Sequence, residues 1–246
     1  MNTVRKAVIL AAGRGKRLGA LTADQPKPMI PIQGRPVLEH ILIGLRESGI
    51  SEYLIVIGYK GPAITEYFGD GSGLGIAISY VEQPIPTGTG AALLLGSKFA
   101  ANDVVVCSFG DILTDYAHYG SLLGRFSNGD CSAVLGINWV DDPAAGGAVY
   151  RDGDRVIRVV EKPPPGTSQS NWNLAGVNVV GPEIFEALQS VAPSPRGEIE
   201  ITDAFGALIK SGKTVAAVEF RGFWSDVGTP EALREANERW HGATDV

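Results

Sequence analysis

Residues 13–28 read Gly-Arg-Gly-Lys-Arg-Leu-Gly-Ala-Leu-Thr-Ala-Asp-Gln-Pro-Lys-Pro and directly follow the apolar run Ala7-Val8-Ile9-Leu10-Ala11-Ala12. A buried strand that empties into a glycine-rich, basic loop is how α/β proteins hold phosphate. Glycines let backbone N–H groups approach an anion closely, and Arg14, Lys16, Arg17 and Lys27 bring positive charge. Two familiar phosphate loops do not fit. Gly212-Lys213-Thr214 ends like a P-loop, but Ala207 stands where its first glycine belongs. The dinucleotide fingerprint fails as well, because Leu18 occupies the place of its third glycine. The acidic residue it requires would be near Glu39, which falls in a helical pattern.

The rest of the chain alternates apolar strand-like runs with helical patterns. Strands are expected over 7–11, 53–58, 76–81, 104–109, 132–137, 156–160, 176–180 and 215–220. Helices are expected over 36–48, 90–99, 116–126, 182–189, 202–211 and 230–240. Such alternation implies an α/β fold of three layers, Rossmann-like, with helices on both faces of a mixed, mainly parallel sheet. Ligands then bind at the carboxyl ends of strands. Gly13, Asp111 and Glu161 each closely follow a strand and can share that edge. Polar, Pro/Gly-rich stretches at 141–147 and 162–171 read as loops beside the cleft, not as domain linkers.

Composition narrows the function classes. The 246 residues are 44% hydrophobic, enough for one large domain with a real core. No apolar run approaches the roughly 20 residues of a membrane span, and no signal peptide is legible, so no membrane partner and a cytoplasmic location are expected. A net charge of −6 argues against a nucleic-acid partner but leaves room for a locally basic nucleotide site. Cys107 and Cys131 lie in apolar runs and read as buried core thiols. His40, His118 and His241 are scattered and read as structural or surface residues. An exposed Trp139 or Trp240 would hint at an interface, and a homo-oligomer is compatible with the chain.

Several strings together carry a family resemblance. They are Gly13-x-Gly15-x-Arg17-Leu18, Leu21-Thr22, Pro26-Lys27-Pro28, Gly88-Thr89-Gly90, Phe109-Gly110-Asp111 and Glu161-Lys162-Pro163. To these add Arg196-Gly197-Glu198-Ile199-Glu200-Ile201-Thr202-Asp203 and Trp224-Ser225-Asp226-Val227-Gly228-Thr229-Pro230. The set resembles the sugar-1-phosphate nucleotidylyltransferases, with its last two strings most like the glucose-1-phosphate thymidylyltransferases and its start also similar to uridylyltransferases acting on hexose or amino-sugar phosphates. The resemblance implies the nucleotidyltransferase fold, a nucleoside triphosphate and a sugar 1-phosphate as substrates, and Mg²⁺. It covers nearly the whole chain as one domain, residues 1–246. The left-handed β-helix domain that some members append is expected to be absent, because no hexapeptide repeat occurs.

Joining two anions demands that their repulsion be offset and that the leaving pyrophosphate be stabilised. The attacking phosphate is already ionised, so a general-base histidine is not required. The resemblance sets Lys27 on the α-phosphate and Arg17 on the β,γ-phosphates. It sets Ala11, Ala12, Gly13, Gly15, Gln83, Gly88 and Thr89 against the nucleotide. In the pyrimidine-using branches a glutamine at the position of Gln83 reads the base, and a carboxamide can match O4 and N3–H of uracil or thymine. Asp111 and Asp226 resemble the metal carboxylates, in keeping with the preference of Mg²⁺ for hard oxygens and substrate phosphates. On the sugar side the resemblance implies Glu161 at hydroxyls, Lys162 at the phosphate, and Gly147, Gly176 and Asn173 nearby. Asn173 departs from the usual Asn-x-Gly by one residue, as Asn173-Leu174-Ala175-Gly176. Asp203 reads as a helix-end residue outside the site. UTP or dTTP is the favoured donor. The residues leave open a guanylyl- or cytidylyltransferase on another phosphorylated substrate, and a non-catalytic nucleotide-sugar sensor on the same fold.

Overall fold

The structure, a computed structural model, describes residues 4–241. Its strands are β1 (Lys6–Ala11), β2 (Pro31–Ile32), β3 (Arg35–Pro36), β4 (Glu52–Ile57), β5 (Ala77–Glu82), β6 (Val105–Phe109), β7 (Ile112–Thr114), β8 (Ala133–Trp139), β9 (Gly147–Asp152), β10 (Arg155–Glu161), β11 (Trp172–Val180), β12 (Val215–Glu219) and β13 (Trp224–Asp226). Its α-helices are α1 (Val37–Glu47), α2 (Pro62–Phe68), α3 (Thr89–Leu94), α4 (Ser97–Ala100), α5 (Ala117–Phe126), α6 (Glu183–Ser190), α7 (Ile201–Lys210) and α8 (Pro230–Arg239).

Nine strands form one mixed sheet in the order β5-β4-β1-β6-β11-β8-β12-β10-β9. The first four run parallel to one another, and β12 runs parallel to β8. β11 is antiparallel to both β6 and β8, and β10 is antiparallel to β12 and β9. Two cores flank this sheet because side chains of a strand alternate between its faces. Ala7, Ile9 and Ala11 of β1 join α1, α2, α5 and α8 on one side, whereas Val8 joins α3, α6 and α7 on the other. The helices match their cores by period. Val37, Leu38, Ile41, Leu42 and Leu45 make one stripe on α1, and Ile201, Ala204, Phe205 and Leu208 make one on α7. The architecture is therefore the α/β, three-layer one that the sequence implies, with a mixed sheet. The sheet is not mainly parallel as expected, however. From β11 onward antiparallel pairings predominate, because β9, β10 and β11 return as neighbouring strands without a helical crossover. No helix among the described residues is long and apolar enough to cross a membrane.

Some boundaries differ from the sequence reading. The helix expected over 90–99 divides into α3 and α4 around Leu95-Gly96. β11 starts at Trp172, well before Gly176, because Trp172–Leu174 resumes pairing with β8 beyond an irregularity in register. β9 was not legible, since its strand character comes from pairing with β10. Cys107 is fully buried, but Cys131 sits half-buried in a loop beside Arg125 rather than in the core. Trp240 is buried against His40, Tyr116 and Phe223, with ring centroids 5.6, 5.6 and 5.4 Å away. Trp139 is exposed and meets Trp172 edge-on.

His40 and His118 are buried structural groups. His40 pairs through Nε2 with the Ile32 carbonyl at 3.0 Å. His118 bridges Thr114 Oγ1 at 2.6 Å and the Arg221 carbonyl at 2.8 Å. Burial pushes both imidazoles below their ordinary value, and the carbonyl partners only partly oppose it. The folded state thus favours the neutral rings, so the unfolded chain takes up protons first as pH falls. This contribution is complete above the ordinary histidine value of about 6.5 and is lost progressively below it. Tm should therefore drop between pH 7.5 and pH 5.5, and a His40→Gln/His118→Gln variant should show a shallower slope. Equal slopes in scanning calorimetry would exclude this account.

Candidate active site

Because β5, β4, β1 and β6 are parallel and in register, their carboxyl ends share one edge. Ala11 lies beside Ile57, Ile57 beside Glu82, and Leu10 beside Phe109. Gln83, the loop after Ala11, and Asp111 therefore emerge together. A cavity of about 700 Å³ opens there, lined by Ala11, Ala12, Gly13, Gly15, Arg17, Lys27, Gln83, Gly88, Thr89 and Asp111. Gln83 is buried and its Nε2 donates to the Gly88 carbonyl at 3.3 Å. Gly88 has φ +110°, and a Cβ there would come within 2.3 Å of the Ile199 carbonyl oxygen. Both facts restrict the position to glycine.

At the centre of the cavity Lys27 is only 6% exposed. Its Nζ donates to Asp111 Oδ2 at 2.6 Å and to Asp226 Oδ1 at 2.5 Å. Arg17 Nη2 holds the other Asp226 oxygen at 3.0 Å. Antiparallel pairing brings the two aspartates together across the chain. β13 pairs with β7 so that Asp226 faces Ile112, and the Val227 N–H donates to the Asp111 carbonyl at 3.1 Å. Burial alone would lower the Lys27 ammonium, but Asp111 and Asp226 outweigh it and hold it above its usual value. Burial likewise opposes ionisation of Asp226, yet Lys27 and Arg17 keep its carboxyl below the ordinary range.

The antiparallel half of the sheet supplies the opposite wall. Gly147 pairs with Glu161 between β9 and β10, and Asn173 pairs with Ala148 of β9. Gly147, Glu161, Lys162, Asn173, Gly176 and Asp226 all line the same cavity. Glu161 accepts from Thr202 Oγ1 at 3.0 Å and from Arg196 Nη2 at 3.3 Å. Lys162 has φ +39°, a left-handed conformation that a long side chain rarely adopts. Its N–H is fixed to the Gly146 carbonyl at 2.7 Å. The Nδ2 of Asn173 is engaged by Asn138 Oδ1 and the Leu174 carbonyl, both at 3.0 Å. Every site residue singled out from the sequence borders this one cavity.

Other residues there were not assigned from sequence. Glu198, Glu200 and Trp224 line the cavity, and Glu200 is 2% exposed with Oε1 2.5 Å from Arg196 Nη2. Burial, Glu161 and Glu198 raise its carboxyl above the usual value against the pull of Arg196. The alternation of acidic residues after Arg196 was the only local sign of this cluster. Asp203 lies in the first turn of α7 outside the cavity, as read from sequence. Arg14 also falls outside the lining.

Known proteins resemble this chain in sequence and in fold. The family model described as nucleotidyl transferase matches residues 6–242. The chain is 35% identical over 239 residues to the UTP--glucose-1-phosphate uridylyltransferase AglF of Haloferax volcanii, covering 95% of this chain and 96% of that protein. It is also 35% identical over 237 residues to the low-salt glycan biosynthesis nucleotidyltransferase Agl11 of the same organism. There it covers 95% of this chain but spans only 65% of the relative, and it spans 54% of the bifunctional protein GlmU from Methanococcus maripaludis. A UDP-glucose pyrophosphorylase structure complexed with UDP-glucose superposes with a TM-score of 0.86 at 25% identity, covering 96% of this chain and 97% of the other. By sequence and by fold, the chain belongs to the nucleotidyl transferase family.

Proposed function

We propose that this chain transfers a uridylyl or thymidylyl group from UTP or dTTP to a sugar 1-phosphate, releasing pyrophosphate. One observation carries the reading. A buried lysine held between two carboxylates stands in a cavity bordered by Gln83 on one side and by Glu161 and Lys162 on the other. The loop after β1 receives the triphosphate on its glycine N–H groups, and Arg17 meets the β,γ-phosphates. Glu161 orients the sugar and Lys162 its phosphate. A phosphate oxygen of the sugar then attacks the α-phosphorus, the bond from that phosphorus to the bridging β-oxygen breaks, and its electron pair leaves with pyrophosphate. Lys27 meets the charge that develops at the α-phosphate. A sensor would bind the same molecules without needing a buried cation at the reacting phosphorus.

The residues also fit Mg²⁺. Oxygens of Asp111 and Asp226 converge within 2.6 Å of a single cationic atom. Hard carboxylate oxygens completed by substrate phosphates and water are the set this ion takes. Among the described residues no larger group of metal-capable side chains occurs. The ion would neutralise phosphate charge as the pyrophosphate departs.

Asp111→Asn should keep the fold but lower kcat on the order of 10²-fold, and excess EDTA should abolish turnover. Full activity in either case would contradict the reading. Lys27→Met should chiefly lower kcat, because its charge is matched to the transition state. Lys162→Ala should chiefly raise KM for the sugar phosphate, whose charge precedes binding. An effect of Lys162→Ala on the nucleotide alone would count against these duties.

Base choice follows from Gln83. With Nε2 turned to the Gly88 carbonyl, Oε1 serves as acceptor for the N3–H of uracil or thymine, whereas N3 of cytosine is itself an acceptor. Leaving such groups unpaired amounts to about 5- to 150-fold in selectivity. UTP and dTTP should therefore outcompete ATP and CTP at equal concentration, and a clear preference for GTP or CTP in that assay would overturn the assignment.

A further inference from the structure

The phosphate loop buries Leu18 and Thr22 but makes few polar links to the rest of the chain. Among the described residues, the hydrogen bonds and ion pairs that link residues 13–25 to the rest of the chain reach only Asp226, Tyr59 and Lys60. Asp226 belongs to the site already described. Tyr59 and Lys60 do not line the cavity. They occupy the turn between β4 and α2, and that turn is shaped to press on the start of the loop. A Cβ on Gly58 would come within 2.8 Å of the Ala12 carbonyl oxygen, so the two backbones lie in contact. The Tyr59 N–H donates to that carbonyl at 3.3 Å.

From this base two side chains reach the far end of the loop. The Tyr59 hydroxyl lies 3.2 Å from the Thr22 carbonyl and 3.3 Å from the Ala23 carbonyl, sharing one proton between them. Lys60, in the left-handed region at φ +54°, donates its ammonium to the Ala23 carbonyl as well. The near end is gripped differently. The guanidinium carbon of Arg14 stands 5.1 Å from the centroid of the Tyr59 ring, a cation–π contact. Arg14, whose charge could suggest a phosphate ligand, is thus turned onto a tyrosine outside the cavity. The half-buried Tyr59 ring sits between the entry and the exit of the loop and touches both.

We propose that Tyr59, assisted by Arg14 and Lys60, is a positioning residue that holds residues 13–25 in the shape the triphosphate requires, and so sets nucleotide affinity without touching the nucleotide. This rests on the nucleotidyl-transfer reading. A loop that is ordered before binding presents its N–H groups at no further entropic expense, whereas an unclamped loop must be ordered by the ligand. That penalty falls on the nucleotide. The sugar-phosphate wall is built from β9, β10, β11 and α7, which make no hydrogen bond to Tyr59 or Lys60 among the described residues.

Tyr59→Leu removes both the ring and the hydroxyl, while Tyr59→Phe keeps the ring beneath Arg14. Tyr59→Leu should raise KM for UTP about 3- to 10-fold, Tyr59→Phe should raise it less, and KM for the sugar phosphate should change less than about twofold. A second readout needs no turnover. In the free protein, trypsin should cut after Arg14 and Arg17 faster in Tyr59→Leu than in the wild type. More UTP should be needed to protect the variant, while Tm stays within about 2 °C, as expected of a partly exposed residue outside the core. Faster cutting and weaker UTP protection would support the clamp even in a protein that turns nothing over, and absent turnover would then count only against the proposed reaction. Unchanged cutting would overturn the clamp, as would equal rises in both KM values.

Discussion

The arrangement of this molecule depends on one buried ammonium. Withdrawing a lysine from water is unfavourable unless its charge is met, and Lys27 is met twice, by Asp111 and Asp226. These partners stand 84 and 199 positions further along the chain. To place them, β6 must end at Phe109, the chain must turn through Gly110, and the short ribbon of β7 and β13 must close. Proline on both sides of Lys27 restricts its backbone, and the two carboxylates hold the ammonium inside the cavity. The ion cluster fastens the loop after β1 to β13.

Around that cluster the sheet divides its labour. Its parallel half delivers loops to one edge, the usual place for a ligand in an α/β sheet. The antiparallel half, beginning at β11, turns pairs of strands toward the same cavity and brings Gly147, Glu161 and Asn173 into one wall. β11 is the junction, paired to β6 on one side and β8 on the other. Its irregular register between Leu174 and Asn178 lets Gly176 border the cavity while the flanking residues stay in the core.

Much of this was legible in the residues because the signals were local. An apolar run ending in glycines identifies β1 and its loop, and a 3.6-residue period identifies α1 and α7. The strings around Lys27, Asp111, Glu161 and Asp226 named a site that the fold indeed gathers into one cavity. The remainder depends on distant pairing. β7 and β13 are three residues each, too short for any period, and they exist because they meet. Glu200 looks like one charge in a solvated run, and only the packing of α7 reveals that it is buried. Arg14 reads as a solvated loop charge, and its contact with Tyr59 appears only when another strand end brings that ring beneath it.

Gly88 lies against the backbone of Ile199 too closely for any side chain, and the two segments exchange main-chain hydrogen bonds. Gly90 N–H donates to the Ile199 carbonyl and Ile199 N–H to the Thr87 carbonyl, both at 2.8 Å. Thr89 adds its hydroxyl as acceptor for Ile201 N–H at 3.2 Å. The floor beneath Gln83 and the amino end of α7, where Glu200 and Thr202 stand, are therefore one stitched seam. For divergence or engineering this means that the two subsites are not independent modules at that seam. A change that moves Ile199 disturbs both recognition walls together. β10 is tied to the same seam, because Glu161 accepts from Thr202 at the amino end of α7.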